Sequence, residues 1–210
     1  PICALPEVAR NGMVAATERL AAEIGIDIMR RGGNAVDAAV ATGFALAVSY
    51  PRAGNLAGGG FMLIHLAEEN KQVVIDYRET APAAAHRDLY LDENGDVDRQ
   101  QEFFSHRSAA VPGTVAGLIY ALEKYGTMSL PEILQPSIRL ALEGFEVSFA
   151  LEYELEVRGK RLRNNDAARQ VFFKPDGSYY RMGDTLKQPD LARTLSLIAQ
   201  YGRSEEHTSE

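Results

Sequence analysis

Cysteine and positive charge are both scarce in this 210-residue sequence, and each shortage excludes something. Cys3 is the single cysteine, so no intrachain disulfide can form and the Cys-x-x-Cys pairs of a zinc or redox centre are missing. Only Pro1 and Ile2 precede it, and an incidental cysteine is expected rather than a lipid anchor. Lysine and arginine number 22 against 29 acidic residues, a net charge of -7, which leaves nucleic acid and anionic membranes without electrostatic support as partners. No signal peptide is expected within these residues, and a first residue other than Met leads to the expectation of processing or truncation. Residues Ala38 to Pro51 carry no charge, yet they fall short of the about 20 residues that a membrane span needs.

Catalytic signatures are thin as well. No Gly-x-Ser-x-Gly occurs, which removes serine hydrolysis built on a nucleophile elbow. His65, His86, His106 and His207 never fall at the His-x-x-x-His spacing of helical metal sites, and surface or hydrogen-bonded roles are expected for them. Neither a metal site nor a cofactor is expected. Ser105 and His106 are adjacent, and neighbours on an extended segment point to opposite faces, so they do not make a nucleophile and base.

What is present is a globular mix, 46% hydrophobic and 24% charged, without internal repeats or low-complexity tracts. It reads as one continuous domain fragment over 1–202, with Arg203 to Glu210 expected to be a non-native scar. A short strand is expected at Gly12 to Ala16. A helix follows from Thr17 to Arg31, with Leu20, Ile24 and Ile28 on one face and Gly32-Gly33 ending it. Asn34 is placed to cap a second, buried helix, with Asp37 in its first turn. Phe61 to Leu66 and Val73 to Tyr77 form an expected hairpin around a polar turn. Thr114 to Tyr125, Pro131 to Leu142 and Asp190 to Tyr201 read as helices closed by glycines, while Arg158 to Gly183 reads as irregular. Helices layered on a sheet are the implied architecture.

Two segments are candidates for a site. The loop Ala53-Gly54-Asn55-Leu56-Ala57-Gly58-Gly59-Gly60-Phe61 lacks the Lys-Ser/Thr pair and the following helix that phosphate-binding and dinucleotide loops require. It reads as a turn where glycine permits positive φ or close backbone approach, for packing in preference to a ligand. Asp76-Tyr77-Arg78-Glu79-Thr80-Ala81-Pro82 ends a hydrophobic strand in a charged cluster, and its Arg78 offers the planar donor fork that matches a carboxylate. On the residues alone, an exposed ion pair of Arg78 with Asp76 or Glu79 is favoured. In Val111-Pro112-Gly113-Thr114, Thr114 or a neighbour is expected to cap the following helix.

These motifs, together with Gly33-Asn34-Ala35-Val36-Asp37-Ala38-Ala39-Val40-Ala41, Val111 to Gly117, Tyr125-Gly126-Thr127, Gly144-Phe145-Glu146-Val147 and Gly183-Asp184-Thr185-Leu186, resemble in their order the gamma-glutamyltransferase family. The resemblance runs from about Asn11 to Gly202, with Ala57 standing where many members have glycine. It implies an α+β N-terminal-nucleophile hydrolase, a four-layer αββα sandwich made as a proenzyme that cleaves itself into a large and a small subunit. The new N-terminal threonine would attack gamma-glutamyl amides such as glutathione, its own amine serving as base, and water or an amino-acid or peptide acceptor would take the acyl group. No threonine here stands in the family's Thr-Thr-His context, so the nucleophile is expected downstream and no catalytic residue within this chain. Of the substrate-binding residues only Arg78 has a counterpart, expected to hold the substrate α-carboxylate, and this reverses the preference for an ion pair. A periplasmic or secreted location follows from the family alone. The competing readings are a related amidohydrolase such as a cephalosporin acylase, and a non-catalytic scaffold or binding domain.

Overall fold

The computed structural model describes residues 8–203. Cys3, His207 and nearly all of the expected scar lie outside them. The chain divides into two compact units, residues 1–55 with 121–210, and residues 56–120.

In the first unit, helix α1 (Arg19–Arg30) packs on α2 (Ala35–Ser49), which packs on α5 (Leu130–Glu143), which packs on α8 (Pro189–Tyr201). Small residues bring α1 and α2 together: Gly25 is buried, and a Cβ there would run into the Thr42 hydroxyl. Gly32, at φ 98, makes the reversal between them, a conformation that a side chain would strain. Val40, Phe44 and Val48 on α2 are fully buried, as the charge-free run from Ala38 onward predicts.

The start of α2 is the most heavily bonded point of this unit. Asn34 Oδ1 accepts the Val36 and Asp37 N–H groups, and Asp37 returns a bond to Asn34 N–H at 2.7 Å, closing a capping box. Fully buried, Asp37 also accepts from Thr127 N–H, from the Thr127 hydroxyl at 2.6 Å and from Met128 N–H, fastening α2 to the segment ahead of α5. Gly126 leaves the room, since a Cβ there would sit 2.6 Å from Asp37 Oδ1. Gln188 ties the start of α8 to the end of α2 through a buried bond to the Val48 carbonyl at 2.8 Å.

The second unit is built on an antiparallel hairpin, β1 (Phe61–Leu66) with β2 (Lys71–Asp76), in the register Phe61↔Asp76 to Leu66↔Lys71. Alternation puts Ile64 and Ile75 on a buried face. The opposite face carries Leu63 and Val74, directly paired, at 70% and 66% exposure, with Phe61 beside them. Helix α3 (Arg99–Phe104) follows in this unit, and helix α4 (Thr114–Tyr125) begins in it.

The hairpin, α1, α2, α4, α5 and α8 match expectation to within a few residues. Three expectations fail. Residues 12–16 form no strand, because no partner among the described residues pairs with them. The segment Arg158 to Gly183 is not irregular throughout: α6 (Phe149–Leu162) ends within it and α7 (Asp166–Phe172) lies inside it, after the two-residue strand β3 (Phe145–Glu146). The density of charge hid α6, yet Leu151, Leu155 and Gly159 are buried at i, i+4 and i+8, and the Ser148 hydroxyl caps the helix at Leu151 N–H. Finally, Thr114 is the first helical residue rather than a cap, and Gly113, before it, has no side chain to do the capping. Strand β4 (Thr185–Leu186), paired with β3, completes the first unit.

Candidate functional site

Hydrophobic alternation ends at Asp76, and the next four residues are pinned at both ends within the second unit. Tyr77 N–H donates to the Gly60 carbonyl at 3.0 Å and the Tyr77 carbonyl accepts Gly60 N–H at 3.4 Å, continuing the ladder one residue beyond the strands. Thr80 exchanges both backbone bonds with Val111, at 3.2 and 2.9 Å. Arg78 and Glu79 sit between these two pairs.

Arg78 is exposed, and Asp76 does not pair with its guanidinium. Asp76 Oδ1 instead accepts the Arg78 backbone N–H at 3.0 Å, a local turn that spends the carboxylate on the main chain. Among the described residues the guanidinium has no ion-pair or hydrogen-bond partner, so the surface ion pair with Asp76 or Glu79 is not formed. A fork of donors on a rigid peptide, free to receive an anion, is what remains.

The glycine-rich loop proves to be packing against this segment rather than a nucleotide cradle. None of its glycines stands at positive φ. A Cβ on Gly59 would collide with Glu79 N and the Tyr77 carbonyl, and one on Gly60 would lie 2.9 Å from the Tyr77 ring. Tyr77 is half-buried, and burial pushes its phenol above the ordinary value. The Ser105 hydroxyl donates to the Gln101 carbonyl at 2.6 Å. His65, His86 and His106 are all exposed.

Elsewhere, in the first unit, a cavity of about 520 Å3 is lined by Arg52, Leu151, Glu154, Leu155, Arg158 and Phe172 among others. Its half-exposed Arg52 and more open Arg158 both reach Glu154 at 2.7 Å, so those two guanidiniums are already engaged.

The gamma-glutamyltranspeptidase family matches residues 21–207. The chain belongs to that family. It is 47% identical over 201 residues to the glutathione hydrolase proenzyme of Escherichia coli K12, covering 95% of this chain and 34% of that protein. The crystal structure of Helicobacter pylori gamma-glutamyltranspeptidase superposes with a TM-score of 0.93 at 39% identity, over 98% of this chain and 59% of that one. Cephalosporin acylase from Bacillus halodurans superposes with a TM-score of 0.77 at 27% identity, over 99% of this chain and 40% of that one. The chain thus spans about a third of the length of the curated relatives it matches. Its fold is the N-terminal part of the α+β fold of the N-terminal-nucleophile hydrolases.

Sequence reasoning named Arg78 and the glycine-rich loop separately and missed that the loop packs on Tyr77 and Glu79, the residues on either side of Arg78. It missed the part of Gly113 and Gly117 in holding Tyr77 as well, for which the chain carries no local signal beyond the glycines themselves.

Proposed function

We propose that this chain is part of a proenzyme that hydrolyses or transfers gamma-glutamyl groups of glutathione and related amides, and that Arg78 binds the α-carboxylate of the gamma-glutamyl group. The observation that carries the reading is the unpartnered Arg78 guanidinium on a peptide pinned by Gly60 on one side and Val111 on the other. A carboxylate takes two parallel N–H bonds from such a fork, which fixes orientation as well as affinity. The threonine nucleophile lies outside this chain. Its hydroxyl adds to the amide carbon, the C–N bond breaks as the amine leaves protonated, and the ester passes its acyl group to water or to an amino-acid or peptide acceptor. The exposed Leu63 and Val74 face of the hairpin suits cover by the remainder of the proenzyme, the small subunit included. A periplasmic or secreted location is part of the proposal, by family expectation alone, and cell fractionation tests it.

The test is kinetic. In the full-length proenzyme, Arg78→Ala loses about 2 to 5 kcal/mol, roughly 30-fold to several thousandfold in kcat/KM on a gamma-glutamyl anilide. Arg78→Lys keeps the charge without the fork and falls between. Cleavage into two subunits on a gel proceeds in both, because the cleaved peptide bond presents no α-carboxylate to Arg78. The 210-residue chain by itself turns over no anilide. A near-normal Arg78→Ala enzyme overturns the reading. The likeness to cephalosporin acylase supports a second reading, an amidohydrolase for acidic acyl groups, and preference for a glutaryl over a gamma-glutamyl anilide would select it.

A further inference from the structure

The glycine-rich loop and the Val-Pro-Gly-Thr segment are separated by some fifty residues and close on the same short stretch, Tyr77 to Glu79. A Cβ on Gly113 would run into the Tyr77 carbonyl oxygen and would lie 2.9 Å from its carbonyl carbon and 3.6 Å from that of Arg78. One on Gly117, in the first turn of α4, would run into the base of the Tyr77 ring, whose hydroxyl end meets Gly60. The obstacle at Gly113 is main chain, which no rotamer change relieves. Gly113 does not stand at positive φ, so what it supplies is room rather than a backbone conformation. Its N–H and that of Thr114 both donate to the Gly58 carbonyl, at 2.7 and 3.0 Å, lacing the loop to the start of α4. The peptide that joins Tyr77 to Arg78 is therefore clasped from the side by Gly113 and along the chain by Gly60.

We propose that Gly113 is a positioning residue for Arg78: by letting the start of α4 abut the Tyr77–Arg78 peptide, it sets where the guanidinium stands and so sets the preference for substrates with an α-carboxylate. The inference rests on the assignment of Arg78 to that carboxylate. Alanine at 113 must displace the peptide by about 1 Å to restore van der Waals separation, and a shift of that size at a substrate-positioning group costs up to about 100-fold.

The experiment compares full-length proenzyme as wild type, Gly113→Ala, Arg78→Ala and Gly25→Ala. Gly25→Ala is the control: its Cβ meets the Thr42 hydroxyl, in the other unit. Each processed enzyme is titrated for active sites and assayed on gamma-glutamyl anilide and on 4-aminobutyryl anilide, the same molecule without the α-carboxylate. Where turnover of the second is too slow, its inhibition constant is read instead. Gly113→Ala lowers the preference for the carboxylate-bearing substrate about tenfold or more, chiefly through KM, while Gly25→Ala loses thermal stability and keeps the preference. A wild-type preference in Gly113→Ala, alongside a collapsed one in Arg78→Ala, overturns the proposal. A wild-type preference in Arg78→Ala instead overturns the assignment on which it rests. If Gly113→Ala yields no processed enzyme, Gly117→Ala is measured in its place, and if neither is processed the glycines serve folding alone and the proposal fails.

Discussion

Replacing Asp37 by asparagine is close to isosteric, and it should nevertheless destabilise the chain heavily. Oδ1 accepts the N–H groups of Thr127 and Met128 at 2.9 and 3.1 Å. Oδ2 accepts Asn34 N–H at 2.7 Å and the Thr127 hydroxyl at 2.6 Å. Each oxygen faces at least one backbone donor, so an amide NH2 in either orientation points a donor at a donor. Hydrogen bonds to a charged group contribute roughly 1.5 to 3 kcal/mol each and are not additive within one network. Losing one side of the network puts Asp37→Asn at about 2 to 3 kcal/mol, and Asp37→Ala, which also empties the capping box, at about 3 to 5. For a chain of this size that is a fall in Tm of roughly 4 to 12 °C for asparagine. Urea unfolding followed by far-UV circular dichroism at low protein concentration reads the difference. The carboxylate adds a pH signature. Burial pushes it up, but the donors from Thr127, Asn34 and Met128 outweigh burial and hold it below the usual Asp value. A carboxyl lowered on folding contributes stability that is present above its unfolded pKa and lost as pH falls through the folded one. The gap between wild type and Asp37→Asn therefore narrows as pH drops below about 4. An asparagine variant within about 0.5 kcal/mol of wild type at neutral pH would refute the reasoning.

Two further outcomes are expected. Leu63→Lys, on the open hairpin face, should leave the urea midpoint of the isolated chain within about 0.5 kcal/mol while reducing its binding of a hydrophobic dye and blocking maturation of the full-length proenzyme; normal maturation would show that nothing covers this face. Gly144→Ala should cost about 1 to 3 kcal/mol in the same unfolding assay, because residue 144 ends α5 at φ 93 and a Cβ would lie 2.7 Å from Lys187 and Thr185 side-chain carbons; an unchanged midpoint would mean that the turn relaxes freely.

Local chemistry was legible in the sequence wherever a few adjacent residues carry it. The capping of α2 by Asn34, the glycine stops at Gly32 and Gly144, and the hairpin from alternating residues all depend on neighbours within one turn or one strand pair, so order alone determined them. Motif order was enough to reach the family. Helix α6 was legible in principle, through Leu151, Leu155 and Gly159, but its charged face masked a narrow apolar stripe. What only the tertiary structure decided is long-range. Asp37 looked like a first-turn acid and turned out to bond Thr127, 90 residues away. On the residues alone Arg78 looked like half of an ion pair, a preference that the family resemblance reversed, and its freedom from Asp76 depends on a turn that aims the carboxylate at the main chain instead. The glycines at 59 and 60 could be recognised as part of a turn, Gly113 as part of a loop and Gly117 as part of a helix, but that all four share Tyr77 as a neighbour is a fact of packing, because the absence of a side chain leaves no mark in sequence of what fills the space.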